Sequence, residues 1–131
     1  MLQSFACRLR GSDHERILNR ETAGQAKADY FRDISEIGCR YTDIRVRRLG
    51  APITTDGLAR TAKRRGVPFA RAGMRVKVGD DFGHIVDNND SSNFDVLFET
   101  GRHKGLTLNC HPNWMMTYFD ADGAVLAEFR E

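Results

Sequence analysis

Ten of the twenty Lys and Arg residues fall between positions 45 and 77, and their spacing suggests a surface that binds phosphate groups. Alternate residues of a strand share one face, so Arg45 and Arg47 are expected on the same side of a strand. Steps of three and four residues place Arg60, Lys63 and Arg64 on one face of a helix. Such a surface binds nucleic acid through counterion release, with an affinity that falls as salt rises. We therefore predict that these five residues contact nucleic acid.

Two other interpretations of the same cations stay open. They can form a solvated surface that partly neutralises acidic residues of the same molecule, or they can bind an acidic protein. Two nearby aromatic residues, Tyr41 and Phe69, favour nucleic acid, because aromatic rings stack on exposed bases.

Acidic residues gather further along the chain, in or beside predicted turns, at Asp80, Asp81, Asp87, Asp90 and Asp95. They can mimic phosphate and block a basic groove of another protein, and clustered carboxylates can also hold a hard cation. Asp87–Asp90 lacks the Glu that an EF-hand carries at its twelfth position, and turn-forming Asp residues need no partner at all.

An apolar run of Trp114, Met115, Met116, Tyr118 and Phe119 is the densest in the chain. It is typical either of a partner-binding patch or of a core segment that closes a small domain. Asp80, Asp81 and Trp114 are therefore the residues that we predict for an alternative function, in which the protein is an adaptor or an inhibitor of a host or viral protein.

A metal site and a catalytic nucleophile are both weakly supported by the sequence. His84, His103, Cys110 and His111 are ligand types for zinc, but adjacent residues such as Cys110 and His111 point to opposite faces of a strand. Cys110 with a histidine could form a nucleophilic dyad, yet cysteine is among the most buried residue types. No GxGxxG or GxxxxGK[ST] phosphate loop occurs. We predict no cofactor, no metal site and no catalytic residue, and hence a binding protein rather than an enzyme.

Charge is divided unequally along the 131 residues. Residues 1–77 hold seventeen Lys and Arg against eight Asp and Glu, a net of +9, whereas residues 78–131 hold three against ten, a net of −7. Opposite charges on two parts of one chain also favour head-to-tail self-association, so a homo-oligomer is a further prediction. The three cysteines, the early charges of the N-terminus and the lack of a long apolar run predict a cytoplasmic protein that does not enter a membrane.

The elements predicted from the sequence form an α+β chain of three parts. Residues 1–50 contain a hairpin of runs 4–9 and 14–19, a helix that begins after Thr22, and a strand at 43–49. One apolar stripe on that helix consists of Ala23, Ala26, Tyr30, Ile34 and Ile37, with Gly38 as its C-terminal cap. Residues 51–72 form a basic connector with a short helix at about 56–65, and residues 73–131 form the third part.

Residues 73–131 predict a small β-barrel. Alternating apolar residues and turn signals give five short strands at roughly ten-residue spacing, which is typical of a small barrel or sandwich. The segment GMRVKVGDDFGHIVDNNDSSNFDVLFETG at 73–101 resembles an SH3-like or KOW-like barrel in its G-x-x-V-x-V, G-x-I-V and V-x-F elements. The segments YTDIRVRRLG, GVPFARAGMRV, NFDVLFE and LNCHPNW resemble small uncharacterised proteins encoded by phages and prophages. That resemblance implies a phage origin and supplies no mechanism.

Overall fold

The computed structural model describes residues 1–34 and 38–130, which form two compact units, Met1–Ile53 and Thr54–Glu131. Both units combine strands with a helix, so the predicted α+β class is confirmed. In the part of the chain that the structure describes, no helix is long and apolar enough to cross a membrane.

The first unit is a three-stranded antiparallel sheet covered by one helix. Strands β1 (Gln3–Leu9), β2 (Arg16–Arg20) and β3 (Ile44–Gly50) pair in the order β2-β1-β3, and helix α1 covers Ala23–Ile34. A one-turn 3-10 helix, Tyr41–Asp43, leads into β3. The inward side chains form a core with one face of α1, composed of Phe5, Cys7, Leu18, Ala26, Tyr30 and Ile44. The predicted order of hairpin, helix and strand is therefore confirmed.

Helix α1 begins as the sequence predicts. The Gln25 amide donates a hydrogen bond to Thr22 Oγ1 (3.1 Å), which satisfies one of the free N–H groups of the first turn. Ala23 is exposed, so its assignment to the apolar stripe is wrong, whereas Ala26 and Tyr30 are buried. Ile37, which the same stripe includes, lies outside the described residues.

The second unit is a six-stranded antiparallel sheet with one helix. Helix α2 covers Asp56–Arg64, and the strands are β4 (Arg75–Val78), β5 (Asp81–Asn88), β6 (Phe94–Phe98), β7 (Thr107–Cys110), β8 (Met116–Phe119) and β9 (Val125–Glu128). They pair in the order β7-β6-β5-β4-β8-β9. The sequence predicts five strands here, so that number is wrong. The two outermost strands, β7 and β9, do not pair over residues 54–130, so a closed barrel is not confirmed.

Helix α2 belongs to the core of the second unit rather than to a separate connector. Leu58 and Ala62, four residues apart, are both buried in the same apolar cluster as Val76 and Tyr118. Thr55 caps the helix by accepting a hydrogen bond from the Leu58 amide at 3.2 Å. Because this apolar side faces the core, the basic side of α2 is left at the surface.

Candidate nucleic-acid interface

The outer face of the three-stranded sheet carries three arginines, Arg8, Arg45 and Arg47, which we call the arginine face. Ile44 is buried and Val46 is half-buried on the core side of β3, so the alternate residues Arg45 and Arg47 point outward and are exposed. The structure therefore places these two predicted residues on one face, as their spacing indicates.

Arg8 joins this face through the pairing of β1 with β3. In that register Arg8 lies directly opposite Arg45, and Ala6 lies opposite Arg47. The Arg8 and Arg45 guanidinium groups donate hydrogen bonds to the carbonyl oxygens of Ser12 and Thr42, both at 3.1 Å. Among residues 1–34 and 38–130, neither guanidinium has a carboxylate within 4.0 Å.

Arg47 is partly neutralised. Its Nη2 lies 3.1 Å from both carboxylate oxygens of Glu15, which is itself exposed in the loop before β2. Exposed pairs of this kind contribute little, about 0–1 kcal/mol, so a phosphate competes readily with Glu15 for the guanidinium.

The three predicted cations of α2, Arg60, Lys63 and Arg64, belong to the second unit and are all exposed. Arg64 donates a hydrogen bond to Ser92 Oγ at 3.1 Å. In the described part of the chain, Arg60 and Lys63 form no ion pair. Lys63 and Arg64 lie in the last turn of the helix, where the helix dipole favours positive charge.

Arg65, which follows α2, has a structural role that the sequence does not predict. Its guanidinium donates to the Ser92 carbonyl (2.9 Å) and to Asn93 Oδ1 (3.0 Å), and its own carbonyl accepts from Asn113 Nδ2 at 2.9 Å. Arg65 therefore fastens the β5–β6 loop and the turn after β7 to the end of α2. The run of three cations at 63–65 does not by itself distinguish this one from its exposed neighbours.

The predicted aromatic residues have different surroundings. Tyr41 is exposed and carries the Lys27 ammonium 4.4 Å above its ring. Phe69 packs edge-on against the buried Tyr118 ring, with centroids 5.4 Å apart, so it is part of the core of the second unit. Phe69 is thus not placed to stack on a base.

Arg75 and Lys77 both lie close to the Phe82 ring of the second unit. Arg75 Nε lies 3.2 Å from Glu99 Oε1, and its guanidinium lies 4.2 Å from the centre of the Phe82 ring. His84 Nδ1 lies 3.6 Å from the same Glu99 oxygen. These contacts give Arg75 a local counter-charge, which Arg60 and Lys63 lack among the described residues.

Asp80 and Trp114, two of the predicted partner-binding residues, are the chain neighbours of two residues that share a hydrogen bond. Gly79 in the β4–β5 turn donates to the Met115 carbonyl at 2.9 Å, so the segments that hold Asp80 and Trp114 meet at one end of the sheet. Trp114 is 53% exposed, whereas Met116 and Tyr118 of the same apolar run are buried. Asp81 is half-buried beside Gly101, against which its carboxylate packs.

Cys110 has the surroundings of a structural thiol. It is buried at the end of β7, and its Sγ lies 3.6 Å from the Leu108 carbonyl. Burial raises the pKa of the Cys110 thiol to about 11, with a smaller contribution from Asp95, so the thiolate is scarce at neutral pH. The neighbouring His111 contacts Arg65 instead, at 3.4 Å. Over the residues with a described position, no group of three His, Cys, Asp or Glu side chains is arranged to hold a metal ion.

Comparison with protein-family models, with curated proteins and with solved structures found no significant match to this chain. The resemblances to phage proteins and to an SH3-like barrel therefore stay predictions.

Proposed function

We propose that the protein is a non-enzymatic binding module that contacts the phosphate backbone of nucleic acid. Its cations are Arg8, Arg45 and Arg47 of the arginine face, together with Arg60, Lys63 and Arg64 of α2. Two parts of the proposal rest on the residue pattern alone, the SH3-like character of 73–131 and the origin in a phage.

The observation that supports the proposal most strongly is the direct pairing of Arg8 with Arg45 across β1 and β3. Like charges at facing positions of a sheet destabilise it, because their side chains are neighbours. Their hydrogen bonds go to neutral carbonyl oxygens, so the two positive charges stay uncompensated by the described carboxylates. A polyanion across this face would relieve the repulsion and release its own counterions.

The sheet suits this role because its backbone fixes the spacing of the arginines. Facing Cα atoms of antiparallel strands lie about 4.5–5.5 Å apart, and Arg45 and Arg47 are two residues apart on one strand, about 7 Å. Successive phosphates of one nucleic-acid strand are separated by a similar distance. We expect contacts to phosphates rather than to bases, and therefore little sequence specificity.

The test measures binding of a fluorescent duplex at about 50 mM salt, where phosphate contacts are favoured. The double variant Arg8→Gln with Arg45→Gln should weaken binding at least tenfold. A matched control, Arg102→Gln with Lys104→Gln, removes the same charge from exposed positions of a turn in the second unit. Equal losses in both proteins would show that only net charge matters, and no binding by the natural chain would refute the proposal.

A second candidate function is supported by the Gly79–Met115 hydrogen bond, which brings together the segments of Asp80 and Trp114. An exposed Trp on a segment that meets an Asp-bearing turn is typical of a surface that binds a basic, partly apolar protein segment. In that case Trp114→Ala should abolish capture of the partner, whereas the Arg8 and Arg45 variants should leave it unchanged.

A further inference from the structure

A cleft of about 200 Å³ lies between α2 and the β5–β6 loop of the second unit. We call it the loop cleft, and its lining residues are Gly57, Arg60, Thr61, Arg64, Asn88, Asn89 and Ser92. This space is large enough for a group of five heavy atoms such as a phosphate.

The charge of the loop cleft is positive. Arg60 and Arg64, four residues apart on α2, lie one above the other on the same helix face, and no carboxylate is among the lining residues. Arg64 Nη1 is already directed towards the loop by its 3.1 Å bond to Ser92 Oγ. Arg60 has no ion pair with a described residue, so its guanidinium is available to a ligand.

The wall opposite α2 is held in place before any ligand binds. The Asn89 side-chain oxygen accepts hydrogen bonds from the Ser91 and Asn93 amides at 3.0 and 3.3 Å, which closes the loop on itself. Arg65 fastens the same loop to α2 through Ser92 and Asn93. Ser92 has a φ of 58°, a conformation that such contacts must maintain. A fixed wall lowers the entropy cost of binding.

Asn88 adds a neutral donor to the cleft. A Cβ atom at Gly57 would lie 2.9 Å from Asn88 Oδ1, so the side chain of Asn88 lies against the first turn of α2. Its side-chain amide forms no hydrogen bond with another described residue and lines the cleft. Two guanidinium groups, one amide and the Ser92 hydroxyl together provide charged and neutral hydrogen-bond donors, as a tetrahedral oxyanion requires.

We infer that the loop cleft binds a single phosphate group, held by Arg60 and Arg64 and by the donors of Asn88 and Ser92. This inference rests on the proposed function for the source of the phosphate, a nucleic-acid strand, but its chemistry is shared by a free phosphate or a terminal phosphate ester. The arginine face contacts the backbone as a surface, whereas the loop cleft would fix one phosphate.

The experiment titrates the full ¹⁵N-labelled chain with inorganic phosphate at constant ionic strength and follows backbone amide shifts. Amides of Gly57, Asn88 and Ser92 should shift together and saturate. Arg60→Gln and Arg64→Gln should each weaken phosphate binding about tenfold or more. Lys104→Gln is the matched control, because it removes the same charge from an exposed position of the second unit outside the cleft, and it should change affinity less than twofold.

Absence of saturable shifts, or equal weakening by the three variants, would overturn the inference. Gly57→Ala provides a second variant without a change of charge, because its methyl group displaces the Asn88 side chain from its present position. It should weaken phosphate binding while leaving the fold intact, and unchanged binding would contradict the role of Asn88.

Further titrations separate the source of the phosphate. An oligonucleotide without a terminal phosphate offers only phosphodiesters. A nucleoside 5′-monophosphate offers only a terminal phosphate. Shifts of the same three amides with the oligonucleotide support both the cleft and the proposed function. If inorganic phosphate binds and the oligonucleotide does not, the cleft stands as a phosphate site and the proposed function fails.

Discussion

Two ion pairs between β2 and α1 offer a direct test of how the first unit is stabilised. Arg20 Nε lies 2.6 Å from Asp29 Oδ2, and Arg16 Nη1 lies 2.6 Å from Asp33 Oδ2. The side chains of the first pair are 4% and 3% exposed, whereas those of the second are 38% and 40% exposed. The pairs thus match in length and in the elements they join, and they differ in burial.

Asp29→Asn should cost far more stability than Asp33→Asn. The first change leaves the buried Arg20 guanidinium without its carboxylate, and removal of one partner of a buried pair costs about 3–5 kcal/mol. Asp29 also accepts a hydrogen bond from Gln25 Nε2 (3.0 Å) and lies 3.1 Å from Arg32, so more than one contact is weakened. The exposed pair should contribute about 0–1 kcal/mol.

Hydrogen exchange of the β1 amides measures this difference, since it reports the opening free energy of the unit that contains both pairs. A double change to apolar residues, Arg20→Met with Asp29→Leu, should recover much of the loss, because no buried charge is left unpaired. Similar losses for Asp29→Asn and Asp33→Asn would refute the reasoning from burial.

Three further predictions concern the buried thiols and the glycines. Burial raises the pKa of Cys7 and Cys110 from 9.0 to about 11, so the unfolded chain loses these protons first as pH rises. The free energy of unfolding from denaturant titrations should therefore fall between about pH 9 and 11, by up to about 3 kcal/mol per thiol, and Cys→Ala variants should lack that fall. In the native protein a thiol reagent should label the half-buried Cys39 before the buried Cys110. Mass spectrometry of the peptides measures this order. Rapid labelling of Cys110 would contradict its burial. Gly83→Ala should lower the free energy of unfolding by about 1–3 kcal/mol, because its Cβ would lie 2.7 Å from the Leu97 carbonyl. Gly24→Ala on α1 should raise it by up to about 1 kcal/mol, because its Cβ would meet only Thr22 Oγ1, at 4.0 Å.

Local patterns in the sequence predicted the elements well where neighbouring residues determine them. Thr22 and Thr55 begin the two helices through their hydroxyl oxygens, and the alternation of Ile44 with Arg45 fixes which face of β3 is outward. These features depend on residues within four positions of each other. The sequence therefore carries them directly.

Features that depend on distant residues could not be predicted in the same way. Arg8 was absent from the predicted site because its position opposite Arg45 follows from the register of β1 with β3. The alternation of Phe5 and Cys7 with Ala6 and Arg8 indicates an outward Arg8, but it does not give its neighbour. Likewise, the pairing of Val76 with Tyr118 places β4 beside β8, which no local pattern shows.

The sequence does not indicate the loop cleft, for a related reason. Arg64 and Arg65 are adjacent cations in the sequence, yet Arg64 lines the cleft and Arg65 holds the loop. Asn88, Asn89 and Ser92 read as ordinary turn formers, and their role depends on where α2 packs against β5.

The most direct measurement of the central claim is the salt dependence of duplex binding by the natural chain and by the Arg8→Gln, Arg45→Gln variant. Each phosphate contact contributes about −0.9 to the slope of log K against log salt. We predict a steep slope for the natural chain that becomes shallower by about 1.8 in the variant, and no such change in the Arg102→Gln, Lys104→Gln control. Equal slopes in the natural chain and the Arg8, Arg45 variant would contradict the assignment of the arginine face to phosphate binding.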